Sequence, residues 1–246
     1  MRSFHYYIRR THRYLGIFIG IQFLLWTLGG LYFSWTNIDE IHGDHLVNRR
    51  IETPKFPFKL LSPDSLIVKY NISKDSLESV RLSPSHDGWY YSLKFKNKIP
   101  EVQYNAQNGR LRPYMNRSEA LHLAGLYFRN PVIPDTVVYV TRQNISSFLD
   151  YRGGSLPAWG IHYNQPEKVW LYLSADKHRL EKVRTDKWKV FDFLWMLHIM
   201  DFNERDNINN TILRIFSILG LLTITSGFIL FWVSSRTVRK WKNTLF

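Results

Sequence analysis

The 246-residue sequence contains no cysteine. That absence excludes a disulfide framework, a thiolate nucleophile and any iron–sulfur or zinc–thiolate centre. The HExxH, GxSxG, P-loop and glycine-rich dinucleotide patterns are missing too, so no hydrolytic or nucleotide-binding constellation emerges. Acids are scarce, 20 against 33 lysines and arginines, for a net charge of +13. Charge of either sign is absent from two runs of 19 residues, Leu15 to Phe33 and Ile215 to Val233. At about 1.5 Å rise per residue, each run is just long enough to cross a hydrocarbon core of about 30 Å. A cleaved signal peptide fits the first run less well. The run is longer than a typical h-region, and Trp35, Asn37, Asp39 and Glu40 follow it in place of a small-x-small cleavage site.

Basic residues flank both runs: Arg2, Arg9, Arg10 and Arg13 before the first, Arg236, Arg239, Lys240 and Lys242 after the second. The positive-inside rule therefore predicts both ends cytoplasmic and the loop of about 180 residues between the runs extracytoplasmic. Eight of the positive charges are these flanks and the rest are interspersed with acids, so the net charge does not indicate nucleic-acid binding. A bacterial inner-membrane protein with a periplasmic domain satisfies all of this.

The chain divides at composition shifts. Residues 1–36 hold the basic N-terminus and first membrane helix and 37–60 form a connector, and Pro54, Pro57 and Pro63 mark Ile51 to Pro63 as extended. Residues 61–115 and 116–190 read as two repeats. Each opens on a helix, at Ser62-Pro63 and at Asn116 or Ser118, and continues as an antiparallel meander. In the first, Trp89, Tyr91, Leu93 and Phe95 share a strand face. In the second, strands are expected in TVVYVTRQN, ISSFLDYRGG and PAWGIHYN. Asn105 to Leu111 aligns without a gap on Ser174 to Leu180, and one residue of slip brings Trp89 over Trp159, so internal duplication is the economical explanation. Residues 191–211 are an amphipathic membrane approach, 212–234 the second membrane helix and 235–246 a basic tail. The fold class expected is an α+β membrane protein, two transmembrane helices flanking an extracytoplasmic pair of helix-plus-antiparallel-sheet repeats.

The histidines carry what chemistry the sequence offers. His12, Gly16 and Gly20 recur at four-residue spacing and share a helix face, with Thr27 and Gly30 near its continuation. That face admits a neighbouring helix closely, or forms a groove for a planar cofactor reached by His12. His42, Asp44 and His45 offer imidazole and carboxylate ligands to divalent iron, zinc or manganese. Their spacing matches no defined metal motif, and a polar loop at the headgroup level accounts for them equally. His198 interrupts an apolar run, Met196-Leu197 and Ile199-Met200, close to the expected membrane surface, where an ionisable ring is a functional suspect. A structural role, stacked on Trp195 or bonded to Asp192 or Asp201, competes with that reading. Asp192, Asp201, Glu204, Arg205, Asp206 and Arg214 are expected to form an ion network before the second span. His86, His122, His162 and His178 read as ordinary residues of turns, a helix and strands.

These short stretches carry a resemblance. Thr11-His12-Arg13-Tyr14-Leu15-Gly16, TLGGLY from Thr27, TITSGFILFW from Thr223, Leu197-His198 and VQYNAQNGRL resemble segments of the PepSY-associated transmembrane family, of the iron-regulated membrane protein and siderophore-reductase type. The resemblance covers nearly the whole chain. It implies an extracytoplasmic PepSY module held by helices that in some members bind haem b and pass electrons to ferric siderophores. The chain departs from that pattern in having two apolar runs where such members have four helices, and Asn105 where the family usually has aspartate. His12 at the inner end and His198 at the outer end are about a bilayer apart and cannot share one iron within a chain. The Gly16/Gly20 face and the single histidine at each end motivate a homodimer clasping haem between His12 pairs and His198 pairs; a helical hairpin would instead let His198 pair with His42 or His45 without a dimer. The partners implied are the membrane, a second copy or a larger membrane complex, and a ferric chelate or periplasmic protein. The alternative is a membrane-anchored PepSY binding module or accessory subunit with no cofactor.

Overall fold

The computed structural model describes residues 4–96, 101–128, 133–145, 149–203 and 205–235. Glu204 and the basic residues Arg2, Arg236, Arg239, Lys240 and Lys242, on which the topology expectation rests, lie outside the described residues. The chain is mixed α+β and separates into a helical unit, residues 1–37 with 190–246, and a sheet unit, residues 38–189.

The helical unit contains two helices long and apolar enough to cross a membrane, α1 (Phe4–Trp35) and a second helix, Thr211–Ser234. The second starts where sequence places it, because the Asn210 side chain accepts from Leu213 N at 2.8 Å and caps the first turn. Ser217 and Thr223 return their hydroxyls to carbonyls four residues back, at 2.8 Å each, so this apolar helix carries them without an unmet donor. The outer faces expose Ile17, Ile21, Leu24, Leu28, Leu221, Phe228 and Phe231, the reverse of a water-facing helix.

The two long helices pack through a seam that the spacing of small residues in α1 did not indicate. Cβ atoms added at Gly16 and Gly20 would meet nothing within 4 Å. The small residues at the seam belong instead to Thr211–Ser234: a Cβ at Gly220 would lie 2.9 Å from the Phe23 ring, and one at Gly227 3.1 Å from His12 Cε1. Phe18 stacks on Phe216 at 5.5 Å between centroids. The first helix supplies ridges and the second supplies notches, and Gly16 and Gly20 make no close approach within the chain.

In the sheet unit, α2 (Ile38–His42) is followed by α3 (Pro63–Lys69), then β1 (Leu77–Ser85), β2 (Gly88–Phe95) and β3 (Val102–Asn105) in one antiparallel sheet. The second half runs α4 (Arg117–Tyr127), β4 (Thr136–Val140), β5 (Ala158–Tyr163), β6 (Val169–Ser174) and β7 (Arg179–Thr185), whose strands form a four-stranded sheet in that order. A fifth helix, α5 (Asp186–Ile199), continues directly into the helical unit, which makes the long helix Thr211–Ser234 α6. Ser62 and Asn116 cap α3 and α4, the latter through a full capping box with Glu119.

The two halves repeat in their backbone bonds. Leu61 N donates to Ala106 O and Met115 N to Ala175 O, both at 2.8 Å. Ala106 N donates to Trp89 O and Ala175 N to Pro157 O, at 2.8 and 3.0 Å. The final turns close alike, Gly109 N to Asn105 O and His178 N to Ser174 O, at 2.8 and 3.0 Å. Beyond the turn, the Tyr104–Leu111 bridge matches the Leu173–Leu180 pair of β6 and β7, so β7 is the full-length form of what the first half keeps as one bridge. These bonds set Trp89 opposite Pro157 and Tyr91 opposite Trp159, two residues away from the Trp89–Trp159 match that the sequence suggests.

Two other expectations are corrected. Residues 145–154 do not form a strand where described; Leu149–Tyr151 is a 3-10 turn, and Tyr151 is buried, stacked on Tyr172 at 4.6 Å. Its aromatic ring fills a space between layers, a tertiary role that β propensity cannot reveal. The stretch around His42 and His45, read in the sequence as a polar loop, is docked through apolar residues. Ile41, Leu46 and Val47 are buried, Leu46 and Val47 in the core of the second half, and Thr185 Oγ1 donates to Ile41 O at 3.0 Å. Gly43 makes this docking possible: its φ is +71°, and a Cβ there would lie 2.9 Å from Val183 Cγ1. Gly43→Ala is therefore expected to destabilise the sheet unit by about 1–3 kcal/mol through left-handed strain and overpacking, read as a lower denaturant midpoint.

Candidate functional site

His12 lies on the α1–α6 seam, and its ring occupies the notch at Gly227. Its Nδ1 is 2.8 Å from Ser226 Oγ. Ser226 Oγ also lies 2.8 Å from the Thr223 carbonyl, which ties the serine to its own helix. The bond to Ser226 anchors Nδ1 and orients the ring, and Nε2 takes no part in it. Nε2 has no hydrogen-bond partner among the described residues. Gly227→Val is expected to push the ring out of the notch and lower the stability of the helix pair by about 1–3 kcal/mol, measured by thermal unfolding in detergent.

His198, in the last turn of α5, sits among aromatic rings. Trp26, Phe33 and Trp195 have centroids 5.8, 5.9 and 6.3 Å from it, the last nearly coplanar at 10°. Its Nδ1 is buried with no hydrogen-bond partner among the described residues, as is the Nε1 of Trp26. The nearby loop is tied down by polar bonds: Arg205 pairs with Asp192, and the Asp201 side chain accepts from Asn203 N, Asp206 N and Asn207 N at 3.0–3.2 Å. His12 is beside Gly227 and His198 beside Trp26 and Phe33, some fourteen or more residues of α1 further on. At about 1.5 Å per residue that is over 20 Å of helix, too far for both to bind one iron.

The residues expected to bind a metal are placed in the sheet unit and engaged separately. Asp44 pairs with Arg49 at 2.6 Å, and His45 Nε2 is 3.3 Å from Glu167 Oε1. The His42 carbonyl accepts from Arg49 Nη2 at 3.4 Å. Among the described residues no group of three His, Asp or Glu side chains converges on a metal position.

Haem is the cofactor that the resemblance implies, and the donor atoms test it residue by residue. A ligating histidine needs one ring nitrogen anchored and the other free. His12 meets this condition. His198 does not, because the nitrogen that would be anchored has no partner. Gly16 and Gly20 do not line either ring.

A second cluster, passed over in the sequence, lies between the two halves of the sheet unit. Arg112, 6% exposed in its side chain, pairs with Asp87 at 2.6 Å, donates to Ser85 Oγ and Gln103 Oε1 at 3.1 Å each, and covers the Tyr90 ring at 3.9 Å. His178 Nε2 donates to the Pro113 carbonyl at 3.0 Å. His178 has φ +50°, in the turn position that Gly109 occupies in the first half at φ +64°. A left-handed histidine costs more than a glycine, so its side chain compensates there. The gapless alignment of the two turns already set His178 against Gly109 and was the signal available. Burial first, then the charge of Arg112, push the His178 imidazole down to about 4. Burial likewise lowers His86, whose ring centroid is 6.2 Å from that of His122.

Set against family models, curated proteins and solved structures, the chain matches none of them.

Proposed function

We propose that this chain is an inner-membrane protein of bacterial iron acquisition, of the PepSY-associated type, in which two copies hold haem b between their His12 side chains and relay electrons towards periplasmic ferric siderophore. The observation that carries the reading is the His12–Ser226–Thr223 chain. It anchors Nδ1 and leaves Nε2 unengaged in the seam of two apolar helices. Haem bound there would supply a one-electron carrier at the inner end of the helix pair. The protein's part is to orient both imidazoles and to keep water from the ligand atoms. Gly16 and Gly20, unused within the chain, leave a small-residue strip of α1 for the helix of a second copy. In this arrangement α1 and α6 cross the membrane, both ends are cytoplasmic and the sheet unit is periplasmic, its repeats taking the PepSY role.

The expected result is one haem b per two chains in the full-length protein purified from membranes, with the dimer seen by mass measurement in detergent. A monomer purified without haem would contradict it. The second reading, a membrane-anchored binding module, is favoured by a different observation: the polar face of the first sheet is buried between the two halves.

A further inference from the structure

The first sheet has an apolar face, with Leu82, Tyr91, Leu93 and Tyr104, in the core around α3. Its other face carries Arg81, Ser83 and Ser85 of β1, Tyr90 and Ser92 of β2, and Gln103 of β3, in register as Arg81–Ser92–Gln103 and Ser83–Tyr90. A polar sheet face ordinarily meets water. Here Tyr90, Ser92 and Gln103 are all less than 9% exposed, and Gln103 Nε2 reaches the Lys177 carbonyl of the β6–β7 turn at 3.5 Å. The turn does not fill the space beneath it. A cleft of about 290 Å³ remains, walled on one side by Arg81, Ser83, Ser85 and Ser92 and on the other by Lys177 and Arg179.

We propose that this cleft binds a small polycarboxylate anion, one carboxylate against Arg81 and the serine hydroxyls, another against Arg179. The reading uses neither His12 nor haem. Its volume suits a small molecule and excludes a folded partner. Arg81 is exposed and has no ion pair among the described residues. Lys177 and Arg179 share a single acid, Glu181, at 3.8 and 3.1 Å, and the Lys177 ammonium also donates to Ser155 Oγ outside the cleft, which leaves Arg179 as the cation of this wall. Glu101 is the one acid in the lining. Ser92 accepts from Gln103 at 3.2 Å and so keeps its own proton for a further acceptor. Cationic groups stand on two walls from two halves of the fold, which favours a ligand with two separated anionic groups over a single oxyanion. Charge-assisted bonds of this kind are the strong ones.

The test is calorimetric titration of the full-length protein in detergent with citrate, and separately with inorganic phosphate. Saturable binding of one citrate per chain is expected. It should weaken about tenfold or more in Arg81→Gln and in Arg179→Gln, each losing one charge-assisted contact. Lys74→Gln, whose ammonium pairs with Asp64 outside the cleft at 2.9 Å, should bind as the parent does. Arg81 is exposed, so its variant is expected to keep the parent's circular dichroism. No saturable citrate binding, an affinity unmoved by Arg81→Gln, or phosphate bound as tightly as citrate would each overturn the proposal. Haem content measured on the same preparation reports on His12 alone, so failure of one reading leaves the other intact.

Discussion

Replacing Arg112 with alanine is expected to destabilise the sheet unit by about 3 kcal/mol. The guanidinium is nearly fully buried and serves the first sheet from beyond its last strand, tying Asp87, Ser85 and Gln103 together while stacking on Tyr90. Breaking a buried ion pair by removing one partner costs about 3–5 kcal/mol, because the remaining charge is left without compensation. Asp87 is 42% exposed in its side chain, so water rescues part of that charge and places the expected loss at the low end. The Gln103 carbonyl and the Tyr90 ring have no such access to water. Arg112→Lys keeps the charge but offers a point donor where a planar fork now makes bonds in several directions, so it should recover only part of the loss. Urea unfolding of the full-length chain reads both variants. A midpoint unchanged in Arg112→Ala would remove Arg112 from the account of how the two halves are joined.

The second large effect is acid sensitivity centred on His178. Its folded pKa, about 4, lies below the ordinary value of 6.5. Above about pH 6.5 the imidazole is neutral folded and unfolded, and the group contributes no pH dependence. As pH falls, the unfolded chain takes up a proton that the folded chain refuses, and stability is lost until about pH 4, where the folded state protonates too. The total loss is about 3 kcal/mol at about 1.36 kcal/mol per unit. Groups facing the ring act in both senses: Arg112 lowers its pKa, whereas the Pro113 carbonyl, Asp87 and Glu119 raise it. His86, lowered by burial, adds to the loss in the same direction. His178→Gly restores the residue that the first half uses in this turn, and should leave stability near neutrality within about 1 kcal/mol while flattening the slope between pH 6.5 and 4. An unaltered slope in that variant would assign the acid sensitivity elsewhere.

What the sequence made legible follows from local chemistry. Ser62-Pro63 and the Asn116–Glu119 box specify helix starts within a few residues, and the charge-free runs specify α1 and α6. The alternation of Trp89, Tyr91, Leu93 and Phe95 set the inward face of β2, and the repeat of the final turn was visible as a gapless match. What stayed hidden depends on contacts distant in sequence. Ile41, Leu46 and Val47 lie within a polar stretch, and only the docking at Gly43 buries them. The helix seam runs through Gly220 and Gly227 because Phe23 and His12 need space opposite them; spacing within α1 could not show which partner residue supplies it. His12 was singled out by position, but its ring is anchored by Ser226, 214 residues away. Arg112 and His178 passed as ordinary because their burial arises only when the first sheet's polar face is covered.

The central claim is that the anchored ring of His12 is a ligand, and the reduced-minus-oxidised visible spectrum of the full-length protein purified from membranes tests it most directly. The account predicts a b-type absorbance difference that disappears in His12→Ala and persists in His198→Ala. No difference in the parent protein, or one that survives loss of His12, would contradict it.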